Sequence, residues 1–224
     1  MIKLTIRKPI VFAAILMIAA GVLAACSSAG DDTPAGATGS SQTPDPSLHV
    51  FSTGTAFDAK YRITTHLLDG YDGTDQVVFG TDGGQGISAW TVRNVYAEPC
   101  RWAGTLLDPP IDPSVGGLVA GLTSQKDRHA TAPTDVSLSG FTGKYMELTT
   151  PAGIDVADCD GGEFRTWIDA NGQRNLEAGQ RDLLWIVDVG GTRLVIDSAL
   201  GPDTTPQDRA DRIQMVESIR IEPV

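Results

Sequence analysis

Residues Asp182–Ala199 read DLLWIVDVGGTRLVIDSA. Two runs rich in β-branched, aliphatic and aromatic side chains flank Gly190-Gly191. A Gly-Gly pair tolerates positive φ at both turn positions, so the stretch predicts a β-hairpin with a two-residue loop. That turn sets the register: Val187 falls opposite Leu194, Trp185 opposite Ile196 and Asp188 opposite Arg193. Cross-strand matches of this kind contribute roughly 0.2–1 kcal/mol each.

Working outward, TDVSL (134–138) and GKYMELTT (143–150) form a second pair, with Val136, Leu138, Met146 and Leu148 alternating with polar residues as half-buried strands do. ISAWTVRNVY (87–96) and FRTWIDA (164–170) are further strand candidates, and SIRIEP (218–223) reads as a short final strand. Helices are fewer. DPSVGGLVAGL (112–122) predicts one with Asp112 as N-cap, Pro113 at the first position and Val115, Leu118, Val119 and Leu122 on one face. A second starts at Thr205 and Pro206, with Ala210, Ile213 and Val216 at helical spacing. Strands outnumber helices and sequential strands read as antiparallel. The fold class is therefore α+β, a mostly antiparallel sheet with a few covering helices, one of them near the C-terminus.

The N-terminus carries Lys3, Arg7 and Lys8, then an uncharged apolar run of 16 residues from Ile10 to Ala25. That is shorter than the roughly 20 residues a spanning helix needs, and it reads as an export signal. Its end, Leu23-Ala24-Ala25-Cys26, resembles the lipobox of bacterial lipoproteins. The resemblance implies a diacylglyceryl group on the Cys26 thiol and cleavage just before it. Two acyl chains suffice for stable anchoring, so the expected location is the extracytoplasmic face of the cell membrane. Residues 27–46 contain no aromatic or branched aliphatic side chain and cannot offset their ordering entropy. Residues 26–47 are thus expected to be a lipidated flexible tether, with a mean span of roughly 25 Å. Residues 48–224 then form one extracytoplasmic domain, long enough for a core of its own.

The chain has 17 basic and 28 acidic residues, net −11. Loss of residues 1–25 would remove three basic residues and no acid, leaving 14 against 28, net −14. An acidic surface without a basic stripe excludes nucleic acid as an expected partner. The expected partners are the membrane, through the lipid, and a protein or envelope ligand.

If Cys26 carries lipid, Cys100 and Cys159 remain, and an even remainder in an exported chain predicts a disulfide. A loop of that size gives roughly 4 kcal/mol by chain entropy, as an upper figure. Free thiols or a metal pair are the alternative, but neither a CxxC nor a histidine within three residues supports zinc. Cys159 lies in DVADCDGGEF (155–164), where Asp155, Asp158, Asp160 and Glu163 crowd together. Set on an EF-hand template with Asp158 and Asp160 at positions 3 and 5, Gly161 falls correctly at 6. Val156 and Trp167 then occupy positions 1 and 12, where neither supplies a side-chain oxygen. An irregular calcium site on those four carboxylates is the minor reading, and no cofactor is implied. DGYDGTD (69–75) fails the same template and reads as a surface turn.

Catalytic patterns are thin: G-x-S-x-G, H-E-x-x-H and a P-loop are all missing. His49 borders the tether, His66 sits in a strand-like run and His129 in a polar stretch. Trp90, Trp102, Trp167 and Trp185 lie in or beside predicted strands, as core residues do. Trp102, in a loop after Cys100, is the candidate for a ligand contact. The expected function is non-enzymatic binding, with a carboxylate-dependent envelope hydrolase as the competing class.

The order NVYAEPCRWAGT, PTDVSLSGFTGKYMELT, CDGGEFRTW, LWIVDVGGTRLVID and DRADRIQMVESIRIEP resembles a family of secreted or lipid-anchored actinobacterial proteins. It spans about residues 87–222 and includes both remaining cysteines. The resemblance implies an exported domain and brings no catalytic residues. The closing helix followed by SIRIE is also similar to lipoproteins of the Mog1/PsbP-like fold, an antiparallel sheet covered by helices.

Overall fold

Gly190 and Gly191 take φ of 57° and 83°, and the hairpin closes in the predicted register. Gly190 is required twice over, because a Cβ there would also lie 2.2 Å from the Tyr61 hydroxyl. Val187 pairs with Leu194, Trp185 with Ile196 and Asp188 with Arg193. The last pair aligns without bonding. Asp188 accepts from the Gly191 backbone at 2.7 Å, while Arg193 donates to the Val92, Asp112 and Ser114 carbonyls.

A computed structural model describes residues 45–80, 85–170 and 172–224. Cys26, the predicted signal peptide and the predicted tether up to residue 44 lie outside the described residues. The last tether residues, Asp45–Ser47, form a turn in which Asp45 accepts from the Ser47 backbone and hydroxyl. That turn opens into β1 (Leu48–Phe51), so His49 sits in a strand rather than beside a linker. Next come α1 (Thr55–Asp58), β2 (Tyr61–His66), β3 (Tyr71–Gly73) and β4 (Val77–Gly80). β3 is a correction: 69–75 turns at Gly70 but then pairs Tyr71–Gly73 with β4, because alternate residues bond to an available edge.

The 87–96 run is two strands, not one. β5 (Ile87–Trp90) and β6 (Asn94–Val95) belong to different sheets, and the chain crosses between layers over Thr91–Arg93. α2 spans Val115–Thr123, with Ser114 as its cap, accepting from Gly117 N at 3.1 Å. Asp112 is displaced from the predicted cap position by two residues. Its carboxylate instead caps the preceding turn at Ser114 N. The predicted face holds: Leu118 and Leu122 are fully buried, and Val115 and Val119 pack beside them. β7 (His129–Ala130), β8 (Thr134–Leu138), β9 (Phe141–Thr149), β10 (Phe164–Ile168) and β11 (Gln173–Leu176) follow. The hairpin strands are β12 (Arg181–Val189) and β13 (Thr192–Leu200). α3 (Pro206–Glu217) carries a capping box between Thr205 and Asp208, and β14 (Arg220–Pro223) closes the chain. Ala210 is exposed, contrary to expectation. The buried face of α3 is Arg212, Met215 and Val216.

Every strand pair among the described residues is antiparallel, and the fold is α+β. The main sheet runs β3-β4-β5-β13-β12-β9-β7, with β8 also on β9. Two three-stranded sheets, β1-β2-β14 and β11-β10-β6, lie apart from it. The central hairpin is buried along almost its whole length, so both of its faces are covered. Leu183, Trp185, Val187, Leu194 and Ile196 point to one side, against Phe51, Ile63, Met215, Val216 and Ile221. Leu184, Ile186 and Val195 point to the other, against Val95, Leu118, Leu122 and Trp167. The first side is capped by β1-β2-β14 with α1 and α3, the second by β11-β10-β6 with α2. All three apolar clusters and the disulfide are made within residues 45–224, which therefore carry their own core.

Candidate functional site

The predicted site residues fall in one corner. Cys100 and Cys159 form a disulfide with Cα atoms 4.6 Å apart, packed with Phe164 and Leu176 in a small apolar cluster. Asp155 caps a short turn through Ala157 N. Asp160 accepts from Ala103 N at 3.0 Å and faces the Arg101 guanidinium at 3.5 Å. Glu163 pairs with Arg165 and accepts from Asn175, and Asp158 is exposed, with its carbonyl held by Arg101. The Asp155, Asp160 and Glu163 carboxylates are thus each engaged by other groups of the loop or its neighbours. Among the described residues, no group of three or more His, Cys, Asp or Glu side chains is placed to hold a metal.

Trp102 is also engaged. Its indole N–H donates to the Asp160 carbonyl at 2.6 Å, and the Arg165 guanidinium lies 3.4 Å from its ring centroid. Tyr96 meets it edge-on at 6.2 Å. A half-buried indole with a cation stacked on its face is a structural brace. Asp160 and Arg165 thus hold the Trp102 indole in place.

The sequence reading passed over a second region, on the β11-β10-β6 side of the main sheet. Asp182 and Asp197 project from β12 and β13 with side chains 0% exposed. A buried carboxylate persists only with cations or donors around it. Arg128, also 0% exposed, donates to Asp182 at 2.7 Å and to Thr166 at 3.0 Å. Gln180 donates to the other Asp182 oxygen at 2.6 Å. Arg174, from β11, donates through Nε to Asp197 at 2.8 Å and stands 3.7 Å from Asp182. Oδ1 of Asp197 has no hydrogen-bond partner among the described residues.

Burial pushes the Asp197 carboxyl up to about 7, and the Asp182 charge adds to the shift, against the pull of Arg174 and Arg128. Burial also lowers the proton affinity of Arg128. At Arg174 burial acts in the same direction, but the two carboxylates outweigh it and hold the guanidinium charged more firmly.

Arg174 is the member of this cluster that reaches the surface, with its side chain 15% exposed. It lines a cavity of about 490 Å³ together with Val77, Phe79, Gln85, Ser88 and Trp90. Val77 and Phe79 share a face of β4, and Ser88 and Trp90 share a face of β5. Val77 pairs with Ser88, and Ser88 with Asp197, so this wall continues the face that carries the ionic cluster. Trp90 is fixed by its N–H to Ser88 Oγ at 2.7 Å and by an edge contact with buried Trp167. An adjoining hollow of about 170 Å³ shares Val77 and Trp90. Larger hollows exist. One of about 610 Å³ beside α3 is lined by five acidic residues with Tyr71 and Arg212 among others, and one of about 690 Å³ by exposed Lys60 and Arg93 with Asp58 and several hydroxyls. The Arg174 groove joins an apolar aromatic wall to a largely buried, braced cation, a pairing typical of small-molecule sites.

The chain matches no protein-family profile and no curated protein sequence. It is similar in structure to cyanobacterial PsbP (CyanoP) from Synechocystis sp. PCC 6803, with a TM-score of 0.37 and 14% identity. That similarity covers 85% of this chain and 100% of the other. The score is too low to carry any property from one protein to the other.

Proposed function

We propose that this protein is a lipoprotein anchored through Cys26 on the extracytoplasmic face of the membrane, and that its domain binds a small ligand without transforming it. The observation that carries the binding reading is the groove over Val77, Phe79 and Trp90, closed at one end by Arg174 and its buried ion pairs. The Cys100–Cys159 disulfide supports an oxidising compartment, where such bonds persist. Against the hydrolase alternative, Asp160 and Glu163 are held by Arg101, Arg165 and backbone donors, and Asp182 by Arg128 and Gln180. The anchor would keep the domain concentrated at the membrane surface.

Two measurements test the reading. Cys26→Ala should move the protein from the membrane fraction to the soluble one, and unchanged membrane association would refute the anchor. Residues 45–224, exported without the lipid and weighed under native conditions, should carry an additional organic mass that Val77→Asp removes. A bare domain that also fails to take up small aromatic compounds would refute the binding reading.

A further inference from the structure

The groove has a polarity that narrows its ligand. Val77, Phe79 and Trp90 give it an apolar, aromatic wall beside Gln85 and Ser88, and among the described residues its one charged lining residue is Arg174. That guanidinium is committed through Nε to Asp197 and through Nη1 to the Asn175 carbonyl. These contacts, with Asp182 at 3.7 Å from Nη2, fix its plane at the groove margin. A braced, desolvated guanidinium binds planar oxyanions more strongly than an exposed one, because its orientation is already set.

We propose that the groove binds a small organic anion, its carboxylate or phosphate head on Arg174 and Ser88 and its aromatic or aliphatic body along Val77, Phe79 and Trp90. The inference rests on the groove being a ligand site and adds the chemical class of the ligand. It also couples binding to a proton. Asp197 shares Arg174 with the incoming head and faces Asp182 on β12, Arg174 on β11, Arg128 before β7 and the Ser88 hydroxyl on β5. With both aspartates ionised the two arginines are neutralised. Protonation of Asp197 leaves a net positive charge for the ligand to meet. An anion beside a carboxylate favours its neutral form, so by linkage the protonated form binds the anion more tightly. Affinity should rise as pH falls through about 7.

The test titrates residues 45–224, disulfide intact, with 2-naphthoate, 2-naphthyl phosphate, uncharged 2-naphthamide and cationic 2-naphthylmethylammonium, using calorimetry. One or both anions should bind about tenfold or more tightly than the amide, the gain of a charge-assisted contact. The tighter anion identifies the head group. Naphthoate should bind more tightly at about pH 6 than at about pH 8. Val77→Asp, at a half-exposed position away from the ion pairs, should abolish anion binding while leaving the melting temperature nearly unchanged. Arg174→Lys should weaken it, and if that variant does not fold, Val77→Asp carries the test. Equal or tighter binding of the amide or the ammonium compound would overturn the anion assignment and leave the groove standing. Failure of all four compounds to bind would overturn both.

Discussion

The two faces of the main sheet solve the same burial problem differently. On the β1-β2-β14 side, Leu183, Trp185, Val187, Leu194 and Ile196 form an apolar cluster with residues of β1, β2, α3 and β14, beside which α3 also buries Arg212. On the β11-β10-β6 side, an apolar patch around Leu184, Ile186, Val195 and Trp167 gives way to Arg128, Arg174, Asp182 and Asp197. It then opens into the groove by Trp90. A closed apolar face does nothing but stabilise. Buried ion pairs seldom stabilise more than well-packed hydrophobes of similar volume, so their presence on one face alone points to that face as the working one.

The contrast is open to mutation. The largest effect is expected from Arg128→Met, which leaves Asp182 buried without its closest cation. Loss of one partner from a buried pair costs about 3–5 kcal/mol, read by urea unfolding. The double variant with Asp182→Leu should recover part of that loss, and a double variant no more stable than the single would show that the cluster does more than neutralise itself. On the closed face, Ile196→Ala should cost about 2–5 kcal/mol through the cavity it leaves and leave naphthoate affinity unchanged. A change in affinity there would break the division of labour between the faces.

Smaller effects come from the covering helices. Thr205→Ala removes the capping box of α3 and should cost about 1 kcal/mol, while Ser114→Ala removes a single capping bond of α2 and should cost the same or less. Thermal melts of the two variants would rank them, and a costlier Ser114 change would show that α2 is held mainly by its cap.

A separate effect, larger than that of either cap, is the pH dependence of Asp197. Its folded-state value, about 7, lies above the ordinary 3.8 of an unfolded aspartate. Between those values the folded protein keeps a proton that the unfolded chain has released. Stability from this group should therefore fall as pH rises from about 4 to about 7 and stay level above. An infrared band of a protonated carboxyl, present near pH 6, gone near pH 8 and missing in Asp197→Asn, would confirm it. A carboxylate at pH 6 would remove the proton coupling from the anion site.

Much of the local structure was legible in the residues. The β12-β13 register followed from Gly190-Gly191, α3 from Thr205-Pro206 and the β8-β9 pairing from a period of two. The α2 cap was misplaced because Asp112 and Ser114 are both capping residues, and only the chain path after Pro113 chooses between them. Ala210 fitted the helical spacing of α3, but the core-facing position went to Arg212, whose guanidinium reaches the Ala199 carbonyl. The groove was not legible. Its residues come from 77–90 and 173–174, and a signal existed only in hindsight: Asp182 and Asp197 are charges inside strands otherwise buried on both faces.

By itself, the sequence determined the central hairpin and its register, the β8-β9 pair, the two longer helices, the pairing of the two cysteines and the α+β class. All of these rest on local dihedral preferences, side-chain period and counting. Tertiary structure alone decided that 87–96 divides between two sheets, that Trp102 is braced by Arg165, and that Arg174 stands over Asp197 beside Trp90. Those outcomes depend on which sheet face meets which covering layer. That choice is set by burial summed over contacts as much as 153 residues apart along the chain, such as Thr65 with Ser218, and no window of sequence contains it.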